Sequence, residues 1–172
     1  AAALMEALDV YLFAEDVQLA DETEAHAPLE LVGPDAQRIV QQTLDGAPEE
    51  RGPEHAFHLA TFRGAATKLT PMPVAGRPGW RIETEPDRVG ELWAALVEKG
   101  ARPGGLVAFD SLRSETVTAA IGRDVSQDVY PQEARLDDAF SLEKGCYIGQ
   151  EVVAKIDTYG GLNKQLFRLR VS

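Results

Sequence analysis

Apolar positions along this chain change their period several times, and each change marks an element. Leu4, Met5, Leu8, Leu12 and Phe13 fall at helical spacing and predict a first helix ending near Ala14. Residues 16–23, DVQLADET, read as a short strand, and Leu29–Gly33 as another. The segment GPDAQRIVQQTL then predicts a helix with Pro34 near its first turn, where a missing N–H does no harm, and with Ile39, Val40 and Leu44 inward. APEERGPE, residues 47–54, is a turn-rich acidic loop.

A period of two follows in HAFHLATFR, TKLTPMPVAG and GWRIETE, each bounded by Gly or Pro, which predicts three strands. EPDRVGELWAALVEKG is the clearest helix: Pro86 sits in its first turn, Val89, Leu92, Trp93, Leu96 and Val97 form its apolar stripe, and Gly100 ends it. The stripe assigns Trp93 to the core. Strand, helix, antiparallel strands, helix is the order of an α+β two-layer unit of the ferredoxin-like kind. A further helix is predicted over about Leu106–Glu115, carrying Phe109, Leu112 and Arg113. Residues 117–142 have weak periodicity and read as extended loop with one turn around LDDAF. A last helix opens near Ile148 and ends at Gly160–Gly161. NKQLFRLRVS reads as the first strand of something further, and the start lacks an initiating Met and a helix cap, so the expectation is a piece of a longer protein.

Composition narrows the function classes. With 17 Lys+Arg against 28 Asp+Glu the formal charge is −11, which repels phosphate backbones and disfavours direct binding of nucleic acid. No apolar run is long enough to span a membrane, and the start lacks the basic region of a signal peptide, so the expected location is cytoplasmic. One cysteine makes no internal disulfide. His26, His55 and His58 are scattered and read as surface or sheet-face residues, and no Cys/His spacing predicts a metal site.

The chemistry gathers around that cysteine, in EKGCYIGQE, Glu143–Glu151. A glycine-rich turn leads into a helix there. Gly145 and Gly149 allow close backbone approach. Cys146, just before a helix start and beside Lys144, is placed for a lowered pKa and a populated thiolate. The plainer reading is a tight turn around a small buried thiol, and the residues alone leave both open.

The run KGCYIGQE resembles the signature K-G-C-[FY]-x-G-Q-E of the YgfZ family, a branch of the superfamily of the glycine-cleavage aminomethyltransferase, or T-protein. All eight positions match, and VVAKIDTYGGLNKQL is similar to the continuation E-V-x-A-R-x-x-T-x-G. GRPGWRIETEP, followed by ELWAALVEKGARPGGLVAFDSLRSE, resembles the superfamily's strand, helix and D-x-L-R-x-E helix, so the likeness covers about Gly79–Gly161 and extends more weakly back to Leu4.

That resemblance implies a T-protein-like folate-binding fold: interleaved α+β lobes and a C-terminal β-barrel around a channel for tetrahydrofolate. In this chain, residues 1–27 would end the first lobe and 28–104 would form the ferredoxin-like lobe. Residues 105–161 would return to the first lobe with the cysteine motif, and 162–172 would begin a truncated barrel. The implied function is a folate-dependent accessory factor for assembling or repairing iron–sulfur clusters, with radical enzymes, including those that modify tRNA, as clients. Cys146 and Lys144 would be the reactive pair. Arg113, Trp80, Tyr147, Gln150 and Glu151 would hold the folate, Trp80 by stacking and Arg113 through its guanidinium fork. For Arg113 an ion pair with Asp110 or Glu115 stands equally open, and for Trp80 a place in the core. The alternative activity is aminomethyl transfer of the T-protein type. Three departures oppose it: Arg81 stands where T-proteins carry an acidic residue against the pterin, their catalytic Asp lies upstream of this chain, and they have another residue at the cysteine position.

Overall fold

The computed structural model describes residues 2–14 and 16–169, in two units, residues 1–103 and 104–172. In the first unit β1 (Ala27–Val32) and α2 (Ala36–Thr43) follow a short α1 (Ala2–Asp9). A meander of β2 (His58–Phe62), β3 (Ala65–Val74) and β4 (Arg77–Thr84) comes next, and α3 (Val89–Glu98) closes the unit. The sheet is wholly antiparallel in the order β1-β4-β3-β2. Helices on an antiparallel sheet make this the expected α+β fold. The ferredoxin-like strand order is not formed: three meander strands lie side by side and β1 takes the edge beside β4, where a split βαβ unit would place a second crossover strand.

Turn chemistry sets the meander. Arg63 and Gly64 have φ of 49° and 82°, and Ala75 and Gly76 have 46° and 69°, so both hairpins close through two left-handed residues, the turn whose twist matches paired strands. Pro71 and Pro73 are tolerated in β3 because β2 pairs only with Ala65–Leu69, leaving the β2 side of the remaining residues without a ladder. Gly79 is required: a Cβ there would lie 2.7 Å from Val74 Cγ2 and 2.8 Å from the carbonyl oxygen of Leu31.

Alternation then divides the residues between two faces. Ala60, Phe62, Leu69, Trp80 and Ile82 meet Ile39 and Val40 of α2, Leu44 just after it, and Leu92 and Leu96 of α3 in one core. Full burial of each large side chain there contributes about 1.5–3 kcal/mol. Trp93, expected in that core, is 44% exposed, because the covered side of α3 is carried by Leu92 and Leu96 with Ala95 beside them. α1 ends at Asp9, earlier than expected, and buries none of its residues, so packing does not extend it. No strand forms over residues 16–23. Instead Asp21 accepts from the backbone N–H of Thr23 at 3.0 Å and from its hydroxyl at 2.6 Å, a local turn that competes with a ladder.

The second unit holds α4 (Leu106–Thr116), a single 3-10 turn at Asp137–Ala139 and α5 (Gln150–Tyr159). Residues 117–136 run without strands, as expected. The strand expected over 163–172 is absent from residues 163–169, where Leu166 N–H makes one bond to the Glu133 carbonyl at 2.8 Å, and its last three residues lie outside the described ones. No barrel strand is therefore formed among the described residues. No helix there is long and apolar enough to cross a membrane.

Candidate functional sites

Strand alternation exposes one face of the first unit's sheet and makes it the floor of a cleft of about 750 Å³. Leu59, Lys68, Glu83 and Pro28 form a row across β2, β3, β4 and β1, each directly opposite the next. Arg81, two residues before Glu83, shares that face. Leu4, Met5 and Leu8 of α1 and Leu19 give the cleft apolar walls, while Asp21, Glu22 and Glu85 add acidic groups to its lining.

Glu83 is the electrostatic centre of the floor. Its side chain is 19% exposed, Lys68 Nζ lies 3.1 Å from Oε2 and Arg81 Nε 3.4 Å from Oε1. Burial favours the neutral acid, but the hydrogen bond and charge of Lys68, joined by Arg81, outweigh it and hold the carboxyl below the usual glutamate range. The sequence reading missed Lys68 and Glu83 as site residues. The signal was present: in TKLTP and WRIETE the period of two puts Lys68, Arg81 and Glu83 opposite the apolar set, with opposite charges facing.

Trp80, expected to stack on a pteridine, lies on the other face. Its ring is 0% exposed in the core, with His58 edge-on at 6.1 Å between centroids. The structure therefore places it under the helices, as a packing residue.

In the second unit Arg113 is likewise enclosed. Its guanidinium bonds Asp124, the carbonyl of Thr118 at 3.0 Å and Asp110 at 3.4 Å. Of the two readings left open by the sequence, this is the ion pair with Asp110, extended to Asp124. Arg123 adds a 2.6 Å bond to Asp110. The Asp110 carboxyl is held below the ordinary range chiefly by the Arg123 hydrogen bond, and Asp124 chiefly by the N–H of Ala120. Together these bonds tie the end of α4 to the loop that follows it, which starts from Val117 in a left-handed conformation at φ 59°.

The cysteine motif is a turn built from its own residues. The Ser141 hydroxyl accepts from the N–H groups of Glu143 and Lys144, both at 3.2 Å. Tyr147 N–H donates to Gln150 Oε1 at 2.9 Å, and Gln150 N–H returns a bond to the Tyr147 carbonyl at 3.2 Å. That exchange closes the Tyr147–Gln150 turn through one side-chain and one backbone bond, leading into α5. Gly149, at φ 85°, supplies the left-handed step before α5. Gln150, expected among the folate ligands, thus has its carbonyl engaged in the turn. Lys144 sets its ammonium 4.8 Å from the centroid of the Tyr147 ring. Cys146 is exposed at the rim of a shallow hollow of about 450 Å³ formed by residues 146–152, and Glu151 is exposed in the first turn of α5. The buried-thiol reading is thereby corrected: Cys146 is exposed, and among the described residues no atom lies within 4 Å of where a Cβ on Gly145 or Gly149 would stand. Among the described residues, no group of three or more His, Cys, Asp or Glu side chains could hold a metal ion.

Comparison with known proteins places these features. Residues 1–144 match the GCVT N-terminal domain. An aminomethyltransferase of Herpetosiphon aurantiacus is 33% identical over 145 residues, covering 84% of this chain and 40% of that protein. A putative chloroplast transferase of Arabidopsis thaliana is 30% identical over 174 residues, 98% of this chain and 39% of its own length. An aminomethyltransferase of Rubrobacter xylanophilus is 32% identical over 152 residues, 88% of this chain and 40% of the relative. The chain thus spans about 40% of the length of these curated relatives.

Proposed function

The chain belongs to the family of the GCVT N-terminal domain, and on that premise we propose that it serves as a tetrahydrofolate-binding accessory protein for iron–sulfur enzymes, of the YgfZ branch, with Cys146 as its working thiol. The observation that carries this reading is the exposed cysteine within an otherwise complete KGCYIGQE run, presented by a turn that its own hydrogen bonds hold. A thiol that reaches solvent at the start of a helix can meet a client protein or a cluster in transit. Lys144, held over Tyr147, keeps a positive charge on the same turn.

For the folate, the cleft over the sheet supplies a space of ligand size, with apolar walls and a few charged groups on a rigid floor. Lys68, Arg81 and Glu83 would hold the ligand there. Trp80 and Arg113 do not fit that role, one being sealed in the core and the other bonded to two carboxylates and a carbonyl. Tetrahydrofolate, when bound, would supply a carrier for one-carbon units.

The second reading, aminomethyl transfer, is favoured by the names of the relatives. Arg81 opposes it, because the resemblance calls for a carboxylate at that position. Two measurements test the order. Tetrahydrofolate titrated without oxygen into the intact protein should release or absorb heat with a saturable isotherm. Cys146→Ala should fold normally and bind folate, yet fail to restore the activity of iron–sulfur enzymes in cells lacking the protein. Full restoration by Cys146→Ala would remove the thiol from the function. Conversion of a methylamine donor plus tetrahydrofolate by the purified protein would promote the second reading.

A further inference from the structure

We infer that residues 47–57 form a strap closed over Trp80 by a buried water, which accepts the indole N–H of Trp80 and donates to Nε2 of His58. The site lies on the covered side of the sheet, and it stands whether or not folate binds to the open face.

Backbone and side-chain bonds hold the strap at both ends and along one flank. At its base Asp45 and Thr61 exchange backbone bonds at 3.0 and 2.9 Å, so the chain leaves and returns beside β2. On the flank Gln37 and Gln41, a turn apart on α2, each give the side-chain amide to the carbonyls of Pro48 and Glu49. At the far end the N–H of His55 donates to the carbonyl of Pro71 at 2.8 Å, on the part of β3 that β2 does not pair with. Pro71 is directly opposite Trp80, which brings the strap to that residue.

Beneath these ties the polar atoms do not close on one another. Nε1 of Trp80, Nε2 of His58 and Nη1 of Arg51 are all buried without a hydrogen-bond partner among the described residues. His58 shares the covered sheet face with Ala60 and Phe62 and stands edge-on to Trp80. A Cβ on Gly52 would lie 3.4 Å from His58 Nε2, so the strap rests against that nitrogen, and Arg51 is the residue before it.

A buried polar group left unpaired costs stability, and folded proteins satisfy such groups from their own chain or with ordered water. Indole and guanidinium only donate, whereas His58 offers an acceptor at Nε2 when its ring proton is on Nδ1. Water matches both kinds of group, because it accepts from the donors and donates to the imidazole. A water about 2.9 Å from each of two nitrogens spans roughly 5 Å between them, which suits atoms on rings whose centroids lie 6.1 Å apart.

The test is nuclear magnetic resonance on the intact protein, reading the indole proton of Trp80, which is identified by its loss in Trp80→Phe. The expected result is cross-peaks between that proton and water with opposite signs in the laboratory and rotating frames, the signature of a long-lived bound water. His58→Phe keeps an aromatic ring beside Trp80 and removes the acceptor, so those cross-peaks should be lost while the circular dichroism of the wild type is retained. Should His58→Phe fail to fold, the wild-type spectra decide: no cross-peak to water, or one with the same sign in both frames, as simple proton exchange gives, overturns the inference. Cross-peaks that persist unchanged in a folded His58→Phe protein overturn it as well, because the water then has other partners.

Discussion

The two units use charge in opposite ways. In the first, the sheet hides apolar residues beneath α2 and α3 and sets Lys68, Arg81 and Glu83 on the open face, where they remain within reach of a ligand. In the second, the central charged group is enclosed: Arg113 bonds Asp110, Asp124 and a carbonyl, fixing a loop that has no ladder of its own. Regular structure frees side chains for binding, because the backbone pairs with itself. Irregular structure engages some of its polar side chains in place of a ladder, as Arg113 is engaged, while Cys146 and Glu151 face solvent. Arginine in such a place is a structural member before it is a ligand contact.

The largest effect that would break this contrast lies in the first unit. Trp80→Ala should cost about 3–5 kcal/mol in urea unfolding, as for truncation of a fully buried aromatic. Trp80→Phe should cost distinctly less and leave the affinity for tetrahydrofolate unchanged. A Trp80→Phe protein of wild-type stability that has lost the ligand would place the ring in the site after all.

Arg113→Met comes next. It strands Asp124 and the Thr118 carbonyl and should destabilise by about 2–3 kcal/mol, below the range for a fully buried pair because Asp124 keeps some solvent. The expected signature is a lowered urea midpoint with folate affinity preserved in the protein that remains folded. A stable Arg113→Met protein with weak folate binding would reverse the assignment.

Acid sharpens the same point with a smaller effect. Asp110 and Asp124 are both held below the ordinary aspartate range in the folded protein, chiefly by the Arg123 hydrogen bond in one case and the Ala120 N–H in the other. Their contribution is therefore complete above the unfolded aspartate pKa of about 3.9 and is lost as pH falls through the lower folded values. Unfolding midpoints measured across pH 2–6 should fall on the acid side, and Asp124→Asn should flatten part of that fall. An equal slope in Asp124→Asn would exclude this carboxylate as a source.

The first unit was largely legible because its periods are long and uninterrupted. GWRIETE and GELWAALVE predict β4 and α3 within a few residues, and Arg-Gly and Ala-Gly sit where the hairpins turn. Trp80 and Trp93 show the limit. Period places a side chain on a face, but whether that face is covered depends on other elements, so the aromatic of the strand is sealed and the one on the helix stripe is half open. In the second unit the motif located the thiol, since glycines around a lone cysteine are conspicuous. The partners of Arg113 were only partly legible, because Asp124 arrives through a loop whose path no period encodes. Residues 16–23 failed for a local reason, the Asp21–Thr23 turn, which uses the same residue types as a polar strand.

The smallest effect concerns the motif itself and separates a turn-maker from a ligand contact. Gln150 accepts the Tyr147 N–H through its side chain, and its own N–H closes the turn from the other direction. A Glu carboxylate offers the same acceptor to that N–H, whereas Ala offers none. Gln150→Ala should therefore cost about 1 kcal/mol and speed the modification of Cys146 by a thiol reagent as the turn loosens. Gln150→Glu should keep both stability and thiol reactivity near wild type, with its carboxylate also suited to the start of α5. If Gln150→Glu instead folds normally but loses cluster-enzyme support in cells, the amide is needed for recognition, and the division between a self-bonded turn and an available thiol no longer holds at this residue.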